Sequence, residues 1–307
     1  MTARSQPKNN SRYSQTGIAL LQVLLISAVI SLLAIRFTIT ARDQLEMSAR
    51  IDERVRAQLK ALSTINEVIF LNLSESVSVT SDSYSNVELS LPPVASLNRY
   101  GAPIKWSDDV EVVIQDLNGL LPQIFVDHPL WKVLLMRSGM SQEVVDRYIG
   151  IWSDIQDKDL VSWDLGEEPS KLSTGGLFIN GYAQNDKVLK WVFSDQPEVL
   201  NVFLKVSDIN ASFETNMLNA PKELLNALLD KQAAETILSS RALVGLKAGE
   251  LETLLPDDYK TETIYTHNSN KIKVNVRVKL LDSVWEQSQT ISFYASSAPP
   301  YKVLLKK

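Results

Sequence analysis

The chain has 307 residues, of which 45% are apolar, so it can bury a core of ordinary size and has room for two modest domains beside an anchor. Its net charge of −5 argues against tight binding to nucleic acid, because that affinity comes mostly from neutralised phosphates. The sequence contains no cysteine and only two histidines, His128 and His267. Disulfides, thiolate catalysis and Cys-ligated metals are therefore excluded. Two histidines offer few candidates for a Ser-His-Asp relay or a histidine-rich zinc site.

The N-terminal segment predicts a membrane anchor. Residues 1–17 carry Arg4, Lys8 and Arg12 without any acid, and residues 18–35 carry no charge. A helix of that length spans roughly 27 Å, which matches the hydrocarbon core of a bilayer. The basic flank predicts that the N-terminus stays cytoplasmic. No convincing small-residue cleavage site follows the apolar run, which argues against a conventional cleaved signal peptide.

The helix is predicted to continue beyond the membrane as an amphipathic helix. Apolar residues recur there at intervals of three and four, and charged residues lie between them. The apolar positions are Met47, Ile51, Val55, Leu59, Leu62, Ile65 and Ile69. The pattern from residue 18 to about residue 70 therefore predicts one long rod. A plain signal anchor followed by a linker helix is the alternative.

The pattern of the remaining chain predicts a helical region between two regions of β-strand. Residues 110–116 (VEVVIQD) predict a strand that ends at the turn signal Asn118-Gly119, and Asp116 is predicted to act in that turn. Residues 271–280 alternate apolar and polar side chains, and residues 289–295 are the predicted antiparallel partner. Among the helices predicted in between, Ser141 and Asn219 are candidate N-caps and Pro197 lies near a helix start.

The N-terminal pattern resembles that of the type IV prepilin-like proteins. The features that carry the resemblance are a basic leader ending in Gly17, an apolar helix and a smooth passage into an amphipathic helix. The resemblance implies that a prepilin peptidase cuts between Gly17 and Ile18 and that the new N-terminus is methylated. Gln22 is then the fifth mature residue, at a position where most members have glutamate. The minor pseudopilin K family of type II secretion systems (general secretion pathway protein K) usually lacks this glutamate.

The order of elements also resembles the K pseudopilins over nearly the whole chain, although Leu218-Asn219-Ala220-Pro221 matches their Asn-Thr-Ala-Pro-like motif imperfectly. The resemblance implies an α+β fold, in which a long N-terminal helix lies on a pilin-like antiparallel sheet that is interrupted by a large inserted α-helical domain. The expected boundaries are a leader at 1–17, a transmembrane helix at 18–36, an amphipathic helix at 37–71, a sheet domain at 72–116 and 261–307, and the helical insertion at 117–260.

The function that this resemblance implies is structural and not enzymatic. A K pseudopilin sits at the tip of the type II secretion pseudopilus and starts its assembly with other minor pseudopilins, for protein export across the outer membrane. The chain would cross the bacterial inner membrane once, with its bulk in the periplasm. The apolar face at 47–69 would bind the other minor pseudopilins, and secreted substrate proteins are further partners. The alternatives are a minor pilin of a type IV pilus and a signal-anchored periplasmic hydrolase.

The densest acidic stretch, DIQDKDLVSWDLGEE, is a candidate calcium site. Calcium takes six to eight oxygen ligands from flexible carboxylates and carbonyls. The candidate ligands are Asp157, Asp159, Asp164, Glu167 and Glu168. Their spacing is not that of an EF-hand, but the family resemblance implies a calcium-bearing loop in a similar segment. A solvated acidic loop is the alternative.

Overall fold

The computed structural model describes residues 14–78, 97–159, 161–162, 181–241, 264–265, 268–281, 283–294 and 296–306. It consists of a long N-terminal helix, a five-stranded antiparallel sheet and a group of shorter helices between the second and third strands of that sheet. The α+β class predicted from the sequence is therefore confirmed.

The first helix, α1 (Ser14–Ser78), is a single element of 65 residues, as the apolar periodicity predicted. Four hydroxyl side chains in its N-terminal half donate to carbonyl oxygens of the helix itself: Ser27 to Leu24, Ser31 to Ser27, Thr38 to Ala34 and Thr40 to Arg36, at 2.8–3.0 Å. Hydroxyl groups bonded in this way do not need water. This part of the helix is therefore compatible with an apolar surrounding.

The sheet has the strand order β1-β2-β7-β8-β9, and every neighbouring pair is antiparallel. Its strands are β1 (Tyr100–Ser107), β2 (Val110–Asp116), β7 (Lys271–Leu280), β8 (Ser283–Phe293) and β9 (Tyr301–Lys306). The predicted strands at 110–116 and 271–280 are confirmed. The predicted partner at 289–295 is confirmed as β8, which begins earlier because the whole length of β7 is paired.

The core of this unit lies between α1 and one face of the sheet. Alternate residues of β2 and β7 point toward α1, because successive side chains of a strand alternate between its faces. The buried residues there are Val110, Val112 and Ile114 on β2, Ile272, Val274, Val276 and Val278 on β7, and Ile291 on β8. From α1 come Ala57, Ala61, Ile65, Val68 and Ile69. The two alanines lack bulk beyond Cβ and so allow the helix to lie close to the sheet.

The second core belongs to the helices between β2 and β7. They are α2 (Pro129–Arg137), α3 (Gln142–Gln156), α4 (Lys187–Val192), α5 (Pro197–Val206), α6 (Lys222–Leu228) and α7 (Lys231–Ser240). Two short parallel pairs lie among them: β3 (Leu121–Pro122) with β4 (Ser207–Asp208), and β5 (Thr215–Asn216) with β6 (Ile264–Tyr265). At the centre, Trp131, Trp152, Phe193 and Phe203 are fully buried and pack against one another.

Two of the predicted helix starts are confirmed and one is wrong. Ser141 occupies the N-cap position of α3, although its side chain makes no capping hydrogen bond, and Pro197 is the first residue of α5. Asn219 was predicted to cap α6, but the N-cap is Pro221. The Asn219 side chain instead donates to Asp116 at 3.1 Å and to Asn268 at 2.8 Å.

Asp116 lies at the junction between the sheet and the helical region and is fully buried. One carboxylate oxygen accepts from the Asn118 backbone N–H at 2.8 Å, which is the local turn bond predicted from the sequence. The other oxygen accepts from the Ser269 backbone N–H at 2.9 Å and from the Asn219 amide. Burial raises the pKa of Asp116, and the bonds from Ser269 and Asn118 oppose that rise. A single carboxylate therefore connects β2, the approach to β7 and the approach to α6.

Gly119 makes the closest backbone approach at this junction. A Cβ atom placed on Gly119 would lie 2.1 Å from the carbonyl oxygen of Asn219. The same carbonyl accepts from Gln115 Nε2 at 2.8 Å. Glycine is therefore required at position 119 for two distant segments of backbone to meet.

Candidate assembly surface on the N-terminal helix

The structure divides the residues predicted to meet a partner into two groups. Ile65 and Ile69 lie in the core between α1 and the sheet. Leu62 is half-buried. Met47, Ile51, Val55 and Leu59 are 65%, 54%, 47% and 60% exposed. The sheet lies under α1 only from about Glu53 onward, so no other described part of the chain covers the earlier turns of the helix.

The exposed apolar residues belong to a face of α1 that carries no charge. An α-helix turns by about 100° per residue, so positions along it can be placed around the axis. On that geometry, every charged residue between Arg36 and Glu67 falls outside an arc of about 160°. The arc holds Met47, Ile51, Val55, Leu59 and Leu62 together with the uncharged side chains of Gln44, Ser48, Gln58 and Asn66. Ile65 and Ile69 also fall within it, but there the sheet covers the helix. This surface will be called the uncharged arc.

The charged side chains of α1 lie on the rest of its circumference, where several of them form ion pairs. Arg50 pairs with Glu46 at 2.6 Å, and Arg56 pairs with Asp52 at 2.9 Å. Lys60 Nζ donates to Asp109 at 2.6 Å, beside β1 and β2. These ion pairs lie on the side of the helix away from the uncharged arc. The uncharged arc is therefore the apolar side of the helix.

Phe70 lies at the border of the uncharged arc, in the same direction as Asp52, and was not predicted as a partner residue. Its side chain is exposed. It follows Leu59 by eleven residues, which is close to three full turns, so the two side chains lie on nearly the same face. A search for apolar residues spaced by eleven positions would have identified Phe70. The intervals of three and four identified Ile69 instead, which the sheet covers.

Toward the N-terminus the uncharged arc merges with a surface that is apolar all round. The part of α1 at Ile18–Ser74 is long and apolar enough to cross a membrane, judged by length and composition, and none of its most apolar stretch is buried in the protein. Gly17 and Ile18 lie within α1 near its start, and Gln22 follows one turn later as an exposed polar side chain. Whether the chain is cut after Gly17 stays a prediction.

The proposed calcium ligands are only partly described. Asp157 ends α3, and its buried Oδ1 atom accepts no hydrogen bond from the part of the chain that the structure describes. Burial and the nearby Asp159 raise the pKa of Asp157, while Asp159 itself accepts from the Val161 N–H at 2.8 Å. These two carboxylates suit a cation but fall short of the six to eight oxygens that calcium takes. Asp164, Glu167 and Glu168 lie outside the described residues. Within the described ranges no group of three or more metal-ligating side chains occurs, so the calcium site stays a prediction.

Comparison with known proteins gives a result for the structure and none for the sequence. No protein-family model matches the sequence, and no curated protein matches it significantly. The structure is similar to a chain in the crystal structure of the GspK-GspI-GspJ complex from the type 2 secretion system of enterotoxigenic Escherichia coli. The match covers 83% of this chain and 98% of that chain, with a TM-score of 0.50 and 13% sequence identity.

The chain has a pseudopilin fold. The resemblance predicted from the order of elements is thereby confirmed at the level of fold, through the long helix, the antiparallel sheet and the helices inserted into it. Among the described residues, the uncharged arc lies on the helix that extends beyond the sheet and leads to the predicted membrane span.

Proposed function

We propose that the chain is a K-like minor pseudopilin that assembles with other minor pseudopilins at the tip of a type II secretion pseudopilus. The observation that carries the proposal is the uncharged arc of α1. Several large apolar side chains stay about half exposed on a face that excludes charge over at least six turns. A helix surface of this kind is stable in water only if another apolar surface covers it.

The fold supports the choice of partner. The similar structure is a complex of GspK with GspI and GspJ, so a chain of this fold is known in association with other pseudopilins. In the proposed complex, the partners supply the apolar faces of their own long helices. Burial of a leucine or isoleucine side chain contributes about 1.5–3 kcal/mol, so a few such residues provide a useful part of a binding free energy.

The proposed topology follows from the same helix. The segment after Gly17 crosses the inner membrane once, the basic leader stays in the cytoplasm, and the sheet and inserted helices lie in the periplasm. Cleavage after Gly17 and methylation of Ile18 belong to the same proposal. Nothing in this role requires catalysis: the tip subunit acts through the surfaces it presents to the other minor pseudopilins and to exported proteins.

The double substitution Ile51→Glu with Leu59→Glu is expected to weaken association with the partner pseudopilins by at least about 100-fold. Both side chains are exposed, so the fold stays intact, but a buried interface would have to enclose two unpaired carboxylates. The measurement is co-purification of the full chain, extracted from membranes, with the minor pseudopilins of its own secretion system.

The matched control makes the same change in net charge on the side of the helix that carries its charged residues. Ala49→Glu with Arg56→Gln changes two exposed residues that lie outside the uncharged arc. This control is expected to co-purify like the unsubstituted chain. Equal loss in both variants, or no loss in either, would contradict the assignment of the arc as the binding surface.

A further inference from the structure

Two turns of the sheet lie at the end from which α1 runs toward the predicted membrane span. They are the β1–β2 turn at 107–110 and the β7–β8 hairpin at 280–283, and β2 and β7 between them are antiparallel neighbours. Ser283 of the hairpin donates to Glu53 of α1 at 3.3 Å, where the helix leaves the sheet. From Glu53 back to Arg36, the first charged residue after the apolar run, the helix covers about 25 Å.

The β7–β8 hairpin holds Leu281 in a conformation that leucine rarely adopts. Leu280 pairs with Ser283, which leaves a loop of two residues. Leu281 is the first of them, and its φ of +50° is the only positive φ of a non-glycine residue among those that the structure describes. The favoured two-residue hairpin turns need a positive φ at this position, which is why glycine and asparagine are common there. Leucine therefore costs a backbone strain that either of those residues would reduce.

The Leu281 side chain is also 79% exposed, more than any other large apolar side chain among the described residues. At that exposure it adds little to the core. Leucine is thus unfavourable at this position on two independent grounds, its backbone conformation and its contact with water. Strain that the fold does not need indicates a use outside the fold.

The neighbouring β1–β2 turn is charged. Asp108 pairs there with Lys105 at 2.8 Å in an exposed position, and Asp109 accepts from Lys60 of α1 at 2.6 Å. Leu281 is therefore an apolar projection beside a polar border. Protein interfaces often have this arrangement, with an apolar centre and a polar rim.

We infer that Leu281 binds the folded domain of a partner pseudopilin that lies between this end of the sheet and the membrane. The inference rests on the proposed function, because every partner of a subunit at the tip lies on its membrane side and so faces the β7–β8 hairpin. It adds a second surface to the uncharged arc. The helix between Arg36 and Glu53 leaves about 25 Å, which is comparable to the diameter of a small domain. The same distance keeps Leu281 away from the lipid.

The place of the contact is tested by photo-cross-linking in membranes that contain the partner pseudopilins. The photoreactive amino acid p-benzoylphenylalanine replaces Leu281 in one variant of the full chain and Ser296 in another. Ser296 is the matched control, because it is exposed in the connection between β8 and β9 at the opposite end of the sheet. We expect a cross-link to a partner pseudopilin from position 281 and none from position 296.

Leu281→Asn separates the contact from the fold. Asparagine adopts a positive φ more readily than leucine and lacks its apolar side chain. We therefore expect the midpoint of thermal unfolding of the chain alone to rise by about 2–4 °C. Co-purification with the partner pseudopilins is expected to fall at least about tenfold. Leu281→Met keeps an apolar side chain and is expected to co-purify like the unsubstituted chain.

The outcomes separate the inference from the proposed function. No cross-link from position 281, equal cross-links from both positions, or products with an exported protein or a second copy of this chain alone would overturn the inference. Unchanged co-purification of Leu281→Asn, an equal loss in Leu281→Met, or a lower unfolding midpoint of Leu281→Asn would also overturn it. The proposed function still stands in these cases if Ile51→Glu with Leu59→Glu prevents co-purification. If the unsubstituted chain does not co-purify with the minor pseudopilins, both are overturned.

Discussion

Replacing Asp116 by alanine is expected to lower the free energy of unfolding by about 3–5 kcal/mol. The substitution leaves three donors without their acceptor: the Asn118 and Ser269 backbone N–H groups and the Asn219 amide. Each unsatisfied buried donor costs about 1–3 kcal/mol. Part of this loss is offset, because Asp116 is a buried carboxylate whose pKa is raised by burial, so its removal also ends a desolvation cost.

The measurement is chemical denaturation of the full chain in detergent, followed by fluorescence of its six tryptophans. Asp108→Ala is the control, since Asp108 pairs with Lys105 at 2.8 Å in a fully accessible position near β2. A surface pair of that kind contributes little, so the control is expected to stay within about 0.5 kcal/mol of the unsubstituted chain. A similarly small effect for Asp116→Ala would contradict its role at the junction.

Gly119→Ala is expected to lower the free energy of unfolding by about 3 kcal/mol or more, although it adds a single methyl group. The added Cβ would lie 2.1 Å from a backbone oxygen, that of Asn219, and backbone cannot rotate away as a flexible side chain can. The helical region and the sheet must therefore separate locally, which also stretches the bond from Gln115 to the same oxygen. The same denaturation experiment measures the loss.

Gly139→Ala distinguishes this overlap from the general cost of replacing a glycine. Gly139 has a φ of +94°, and a Cβ atom there would meet nothing within 4 Å. Its replacement should cost about 1 kcal/mol from backbone strain alone. If the two alanine variants were equally stable, the close approach of Gly119 to Asn219 would not be the feature that matters.

Strands β2, β7 and β8 and the length of α1 could be predicted from the sequence because their signals are local, whereas the edge strands β1 and β9 were not predicted. The alternation at 271–280 and the apolar run before Arg36 each occupy neighbouring positions, so periodicity alone reveals them. Asp116 was recognised only for its local turn bond with Asn118. Its other partners, Asn219 and Ser269, are 103 and 153 residues away, and no local pattern connects such distant positions.

The assembly surface shows the same limit of local reasoning. Apolar periodicity identifies the sides of α1 that avoid water, but it does not say which side the chain's own sheet will cover. Ile65 and Ile69 therefore have the same signal as Leu59, yet they are buried beneath the sheet and Leu59 is exposed. The packing of α1 on β2, β7 and β8 decides which side is covered, and no pattern within the helix records it.

The central claim, that this is a prepilin-like chain whose N-terminal helix is released for assembly, is tested most directly by an intact mass. The full chain is co-expressed with a prepilin peptidase, extracted from membranes and weighed, and a Gly17→Glu variant is treated in parallel. We expect the mass to correspond to loss of residues 1–17, with a methyl group on Ile18, and we expect the variant to keep its leader. An unsubstituted chain that retains residues 1–17 beside the active peptidase would contradict the account and identify α1 as a simple signal anchor.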